Sequence, residues 1–299
     1  MFDGVHLGHQ ALVQACREAV GPSGRVEVLT FDPSPGQVLR GGHAEPTTLA
    51  DLKVRQALLQ AAGADAVTVI PVDAALLNLE PEAFIDEWVV SRRASCIVEG
   101  PDFRFGRGRR GDLAMLSARG VIAGGHTLVL DEQLATLRDG TQVPVRSGMV
   151  RWLLAAGRVA DAASLLGRPH AIEGPVVRGA QRGRTIGVPT ANLDTGDVLV
   201  PMDGVYAGIG HLPDGRRVPA AVSIGSNRTF GDGPRSVEAH LLDFDGAVGD
   251  YRWRLTIDLI QWIRDQVTCD GIHALKALIA RDLELVRAAA AAHDYAVAP

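Results

Sequence analysis

The chain changes its pattern at Gly167-Arg168-Pro169-His170, and that change constrains the fold more than any other feature. Before it, short apolar runs alternate with helix-like segments. VEVLTF (26–31), AVTVIPV (66–72), ASCIVEG (94–100) and HTLVLDE (126–132) read as strands. TLADLKVRQALLQAAG (48–63) and PEAFIDEWVVSR (81–92) read as helices, the first with Leu49, Leu52, Leu58 and Leu59 as core contacts and Gly63 as its stop. Strands separated by helices predict an α/β domain with a parallel, doubly wound, Rossmann-like sheet. After the break, strand candidates follow one another: HAIEGPVV, VYAGIGHL, RRVPAAVSIG, SVEAHLLDF and RWRLTIDLI. Asp214-Gly215 and Asp245-Gly246 mark turns between them. That half predicts a small antiparallel β-barrel. A helix over 271–291 closes the chain, with Ile272, Leu275, Leu278, Ile279 and Val286 on one face. The helical stretch 153–167 joins the halves, which gives domains 1–166 and 167–299.

Composition narrows the function classes. A net charge of -5 argues against a general nucleic-acid binder. No apolar run reaches the length of a membrane span, so no membrane partner is expected. Cys16, Cys96 and Cys269 are too few and too scattered for a disulfide framework or a zinc site, and a reducing cytoplasm is the expected location. Lys53 and Lys276 are the only lysines, so an arginine cluster carries little weight by itself.

Two stretches carry chemistry. The first is His6-Leu7-Gly8-His9 at the start of a predicted helix. A glycine there lets backbone approach a phosphate, and a helix N-terminus offers unpaired N–H groups and a positive dipole end. His6 and His9 then have the chemistry to stabilise charge developing on a phosphoryl group. Two ordinary histidines at a helix start are the bland alternative. The second is RGAQRGRTIGVPTANLD (178–194) with Glu238 downstream. Gly179, Gly183 and Gly187 permit a loop that folds over phosphates, and Arg182 and Arg184 bring compensating charge. Thr190 and Asn192 offer two hard oxygens, the donor type that Mg²⁺ takes alongside nucleotide phosphates. In SVEAHLLDF, alternation puts Glu238, His240 and Leu242 on one face. A carboxylate at a barrel mouth has the chemistry to accept a substrate hydroxyl proton. A turn leading into a strand, and a surface glutamate, are the bland alternatives here.

In order and spacing these motifs resemble the bacterial bifunctional FAD synthetases, which couple riboflavin kinase to FMN adenylyltransferase. FDGVHLGHQ, TFDPSP (30–35) and EGPDFRFGRGRRGD (99–112) carry the likeness in the first half. PTAN after RGRTIG, PMDGVYA (201–207), SIGSNRTFG (223–231) and VEAHLLDFDG (237–246) carry it from about Leu166 to Arg287. The resemblance implies a nucleotidyltransferase-type domain that joins the AMP of ATP to FMN, followed by a riboflavin kinase barrel. It implies riboflavin, FMN and ATP as partners, Mg²⁺ with the ATP, and FMN and FAD as products. His6 and His9 would contact the ATP phosphates, with Phe2 and Asp3 in the loop before them. Asp102, Phe103 and Phe105 would belong to a loop near flavin and nucleotide; without the resemblance that segment reads as a solvated Arg/Gly loop. Ser147 and Arg151 would help to hold the pyrophosphate end. Glu238 would be the base that activates the riboflavin 5′-hydroxyl.

The chain departs from the family pattern in several places. Met1 stands where the family has the Asn of Gly-Asn-Phe-Asp-Gly, Ser34 stands for a histidine, and Arg146 and Gly148 replace residues of a Ser-Ser-Thr segment. Gly249, Asp250 and Cys269 differ near the expected flavin side. The first strand of a doubly wound sheet is central and buried on both faces, so the reading frame is expected to begin upstream of Met1. Decay of the adenylyltransferase half, leaving riboflavin kinase alone, is the alternative. A non-catalytic flavin- or nucleotide-binding protein is the third reading, against which PTAN and Glu238 weigh.

Overall fold

The computed structural model describes residues 1–39, 41, 48–118, 126–179, 181–226, 235–244, 246, 251 and 253–297. The chain forms two compact units: Met1–Glu45, Ala50–Ala135 and Gln142–Arg146 make the first, and Pro46–Leu49, Thr136–Thr141 and Ser147–Pro299 the second.

The first unit runs α1 (Leu7–Val20), β1 (Glu27–Asp32), α2 (Pro35–Leu39), α3 (Leu52–Ala61), β2 (Ala66–Pro71), α4 (Ala74–Leu77), α5 (Pro81–Phe84), β3 (Cys96–Glu99), α6 (Leu113–Ala118) and β4 (His126–Val129), then short strands β5 (Leu134–Thr136) and β6 (Gln142–Pro144). β1 pairs with β2 in parallel from Glu27↔Ala66 to Asp32↔Pro71, and β3 with β4 from Cys96↔His126 to Glu99↔Val129. The parallel pairing is the expected one. Among the described residues, however, the strands make two separate pairs, with no ladder joining β1 to β3.

Helices cover the pairs because their apolar faces need burial. Val5, Val13 and Leu59 pack on Val26 and Val28. Asp51 caps α3, its carboxylate accepting from Val54 N at 2.8 Å, which fixes where that helix starts. The helix expected over 81–92 changes pitch instead. It is α-helical to Phe84, a π-turn over Ile85–Val89 and 3-10 over Val90–Arg92, ending on Arg93 at φ 51°. The wider turn keeps Ile85 fully buried beside Phe84 while Trp88 lies under the Arg92 guanidinium at 5.4 Å.

The second unit opens with α7 (Ser147–Ala155) and α8 (Val159–Leu166), then β7 (His170–Val177), α9 (Arg182–Thr185), β8 (Ala191–Leu193), β9 (Gly204–His211), β10 (Arg217–Gly225), β11 (Ser236–Leu241), β12 (Arg254–Arg264) and α10 (Ile272–Val297). The joining helices belong with the barrel: Met202 N donates to Leu154 O at 3.0 Å. The six strands close in the order β10-β11-β8-β7-β12-β9. Alternation decides what faces in: Ile172, Val222, Ile224, Leu255 and Ile257 are fully buried.

α10 seals one side with Val286 and Ala290 against Ala207, Ile209, Leu242 and Ile260. Asp282 on the same face receives Arg264 in a forked pair, Nη2 to Oδ2 at 2.7 Å. Ile272, expected on the buried face, is 48% exposed, because the helix docks through its later turns.

His170 shows what barrel closure does to a titratable group. It is fully enclosed and its Nε2–H donates to Leu199 O at 2.8 Å. Burial first, and then neighbouring Arg168, pushes its pKa down to about 4 from the ordinary 6.5. The folded pKa lies below the unfolded one, so the unfolded chain takes up the proton first. Stability from neutral His170 is therefore complete above pH 6.5 and is lost as pH falls toward 4. His170→Gln places an amide donor at the same reach without a titrating ring. Between neutral pH and about pH 5, the wild type is expected to lose about 2 kcal/mol more than this variant in urea unfolding. Equal losses would show that His170 does not carry the acid sensitivity.

Candidate functional site

The second unit gathers most of its sequence-selected residues at one place. β8 and β11 pair antiparallel with Asn192 opposite Glu238. Thr190 lies just before β8, and its Oγ1–H donates to Glu238 Oε2 at 3.1 Å. Ser236 Oγ–H donates to the other carboxylate oxygen at 3.4 Å. The Thr190 hydrogen goes to Glu238, which leaves the lone pairs of Oγ1 free for a cation or phosphate-bound ion.

The glycines set how close the loop comes. A Cβ on Gly179 would stand 2.2 Å from Asn192 Nδ2, and one on Gly183 would stand 2.2 Å from Val188 O and 3.6 Å from Thr190 Cγ2. The missing side chains of Gly179 and Gly183 are what let the chain come down onto Asn192 and Thr190 at those two points. Gly187 adopts φ 85°, which turns the chain back toward Pro189. Arg182 begins α9, and its side chain lies outside the described residues. Arg184 and Thr190 line a cavity of about 200 Å³ together with His240, Phe244 and Trp253. The Phe244 and Trp253 rings stack with centroids 6.0 Å apart. Gln181 Nε2 donates to Tyr251 Oη at 2.5 Å across the cavity rim. Of these lining groups the sequence singles out Arg184 and Thr190 and misses Gln181, Phe244, Tyr251 and Trp253, while strand alternation does put His240 on the face of Glu238. Gly249 and Asp250 lie outside the described residues.

In the first unit, His6 is the N-cap of α1, its Nδ1 accepting from His9 N at 3.3 Å. The two imidazoles stack with centroids 3.6 Å apart, and Phe2 closes on His9 at 5.0 Å. Burial, and then neighbouring His6, hold His9 well below the usual 6.5. His9 Nδ1 is buried with no hydrogen-bond partner among the described residues. Gly8 brings the backbone close: a Cβ there would meet the His6 ring at 3.3 Å and Val145 O at 3.4 Å. Asp3 is buried beside them.

The 99–112 segment is pinned rather than loose. Phe105 is a core side chain, packed on Phe84 at 5.3 Å and on Phe103 at 5.4 Å. Gly111 pairs with Phe105 through backbone, and Glu80 holds both Arg107 and Arg110. Phe105 therefore supports the loop from beneath, whereas Asp102 is exposed at its tip. Arg146 already pairs with Asp102 at 3.2 Å and with Glu132. Ser34, in the place of the family's histidine, forms a reciprocal cap: Gln37 N donates to Ser34 Oγ at 3.2 Å and Ser34 N to Gln37 Oε1 at 2.8 Å. Ser147 and Arg151 lie one turn apart on α7, on one face of that helix.

Residues 166–290 match the riboflavin kinase family and residues 1–137 the FAD synthetase family. The bifunctional riboflavin kinase/FMN adenylyltransferase of Escherichia coli K12 is 36% identical over 291 residues, 94% of this chain and 88% of that one. The enzyme of the same description from Pseudomonas fluorescens is 36% identical over 293 residues, 97% and 91% of the two chains, and that from Listeria monocytogenes 32% over 290 residues, 96% and 90%. Among solved structures, a Streptococcus pneumoniae protein described as a macrolide-efflux protein superposes with a TM-score of 0.83 at 27% identity, covering 96% of this chain and 91% of that one. No described helix of this chain is long and apolar enough to cross a membrane. The chain belongs to the bifunctional riboflavin kinase/FMN adenylyltransferase family.

Proposed function

We propose that the barrel unit phosphorylates riboflavin with Glu238 as base, and that the first unit adenylylates the resulting FMN around His6 and His9. The two activities are those of the family. The residue roles rest chiefly on one observation, the Thr190 Oγ1–Glu238 Oε2 contact beneath the glycine loop. In the first step Glu238 takes the proton of the riboflavin 5′-hydroxyl. That oxygen bonds to the γ-phosphorus of ATP, the bond to the bridging oxygen breaks, and ADP leaves. Arg184 and the loop N–H groups balance the charge that builds on the phosphates.

Mg²⁺ fits this site. The Thr190 hydroxyl and the Asn192 amide are hard oxygen donors on one short segment, and Gly179 and Gly183 leave beside them room that a Cβ would take. Among the described residues no cluster of three or more His, Cys, Asp or Glu offers a competing site. Thr190 and Asn192 would hold the ion, which when bound neutralises phosphate charge. In the second step a phosphate oxygen of FMN bonds to the α-phosphorus of a second ATP, and pyrophosphate leaves. The stacked His6 and His9 at the start of α1 would stabilise the charge on that phosphorus.

The test is the purified chain with riboflavin and MgATP, its flavins separated by chromatography over time. FMN is expected first and FAD after it, with one ADP and then one pyrophosphate released per flavin. FMN that accumulates without FAD would reduce the activity to the kinase, the reading that Ser34 in place of a histidine favours. No FMN at all would overturn the assignment of the barrel centre.

A further inference from the structure

We propose that His240 is a positioning residue of the kinase centre, holding Thr190 at Glu238 through the carbonyl of Pro189. The inference rests on the reading of Thr190 and Glu238 just given and adds a residue to it. The β8–β11 ladder pairs Leu193 with Val237, Asn192 with Glu238 and Ala191 with Ala239, and it goes no further. Thr190 lies one residue beyond the last pair. There the imidazole takes over from the backbone: His240 Nδ1 lies 2.8 Å from Pro189 O. A carbonyl oxygen only accepts, so Nδ1 carries the hydrogen. Glu238 and His240 share a face of β11, both half-buried, between buried Val237, Ala239 and Leu241. Two neighbouring residues on one face of the strand therefore grip two neighbouring residues of the Pro-Thr-Ala-Asn segment. Glu238 takes the Thr190 hydroxyl, and His240 fixes the peptide that carries Thr190. That tie adds a second hold on the Pro189–Thr190 peptide beside the carboxylate–hydroxyl bond.

The roles predict a graded series of variants. His240→Ala removes the donor. His240→Asn returns an N–H at the reach of Nδ1, whereas His240→Gln puts it one bond further out. In the full chain, kcat for FMN formation is expected to fall about ten-fold in His240→Ala and His240→Gln, with KM for riboflavin within about two-fold of wild type. His240→Asn is expected to recover kcat to within about three-fold of wild type. Thermal melting of each variant, and FAD formation from supplied FMN, report whether the chain is folded. Wild-type kcat in His240→Ala overturns the proposal. So does equal impairment of His240→Ala and His240→Asn, since a packing role gives no rescue by the shorter amide. Glu238→Gln is run beside them. If it turns over normally, the reading of the centre has failed and this inference falls with it. If Glu238→Gln is dead while His240→Ala is normal, only the role of His240 is lost.

Discussion

Glu238→Gln is expected to slow FMN formation by about 10³-fold, the range general-base catalysis supplies, while riboflavin and MgATP still bind. The variant is a sharp test because glutamine is nearly isosteric. Its carbonyl oxygen still accepts the Thr190 hydroxyl hydrogen that Glu238 Oε2 receives at 3.1 Å. The register with Asn192 and Ser223 is a backbone property and stays as it is. What disappears is the ability to take a proton from the riboflavin hydroxyl. The loss should therefore fall on kcat, with both KM values within a few-fold of wild type. FAD formation from supplied FMN, proposed for the first unit, should be unchanged and serves as the internal control. Flavin chromatography after single and multiple turnovers measures both. Wild-type kcat would remove Glu238 from the mechanism, and a rise in KM alone would make it a binding residue.

Most of the barrel is legible in the sequence because alternation is a local signal. HAIEGPVV forms β7 at its full length, and the same alternation in SVEAHL puts Glu238 and His240 on one face of β11. β8 has three residues, too few for a period to show, and it is visible only through its motif. Contacts between distant positions leave no such local trace. Pro189 meets His240 across 51 residues, and Glu80 reaches Arg107 and Arg110 across 27 and 30. The second case explains why a stretch that reads as a loose Arg/Gly loop is held down. Phe105 has the look of a binding-loop residue and is core, because its ring fills the space left by Gly111. Ser34 is the opposite case. Its partner Gln37 is three residues away, so the cap is a local signal, but the family pattern marks that position by the histidine it lacks. The apolar spacing of 271–291 identifies the helix correctly and assigns Ile272 to the wrong environment, since periodicity does not say how many turns of a helix find a partner.

In the first unit, His6→Asn is expected to lower FAD formation from FMN and MgATP by about 10² to 10³-fold, as loss of one charge-stabilising donor does, with FMN formation within about two-fold of wild type. Asparagine is the informative substitution because His6 has two jobs that alanine removes together. As N-cap of α1 it accepts from His9 N, and that bond is worth about 1 kcal/mol to the helix. Asparagine is among the best caps and keeps this bond while removing the ring that stacks on His9 at 3.6 Å. His6→Ala should then show the same loss of FAD formation plus a lower melting temperature, whereas His6→Asn should show the loss with little change in melting. If His6→Asn makes FAD at the wild-type rate, the imidazole is a helix cap and nothing more. His9 gives the reason to expect otherwise. Burial and the His6 ring both disfavour its charge, and its Nδ1 has no partner among the described residues. A buried unpartnered ring nitrogen costs stability, and a phosphoryl anion at that point would both satisfy it and offset the burial that keeps it uncharged. Taking away the ring stacked against it should loosen His9, so the second histidine fails with the first even though only one was changed.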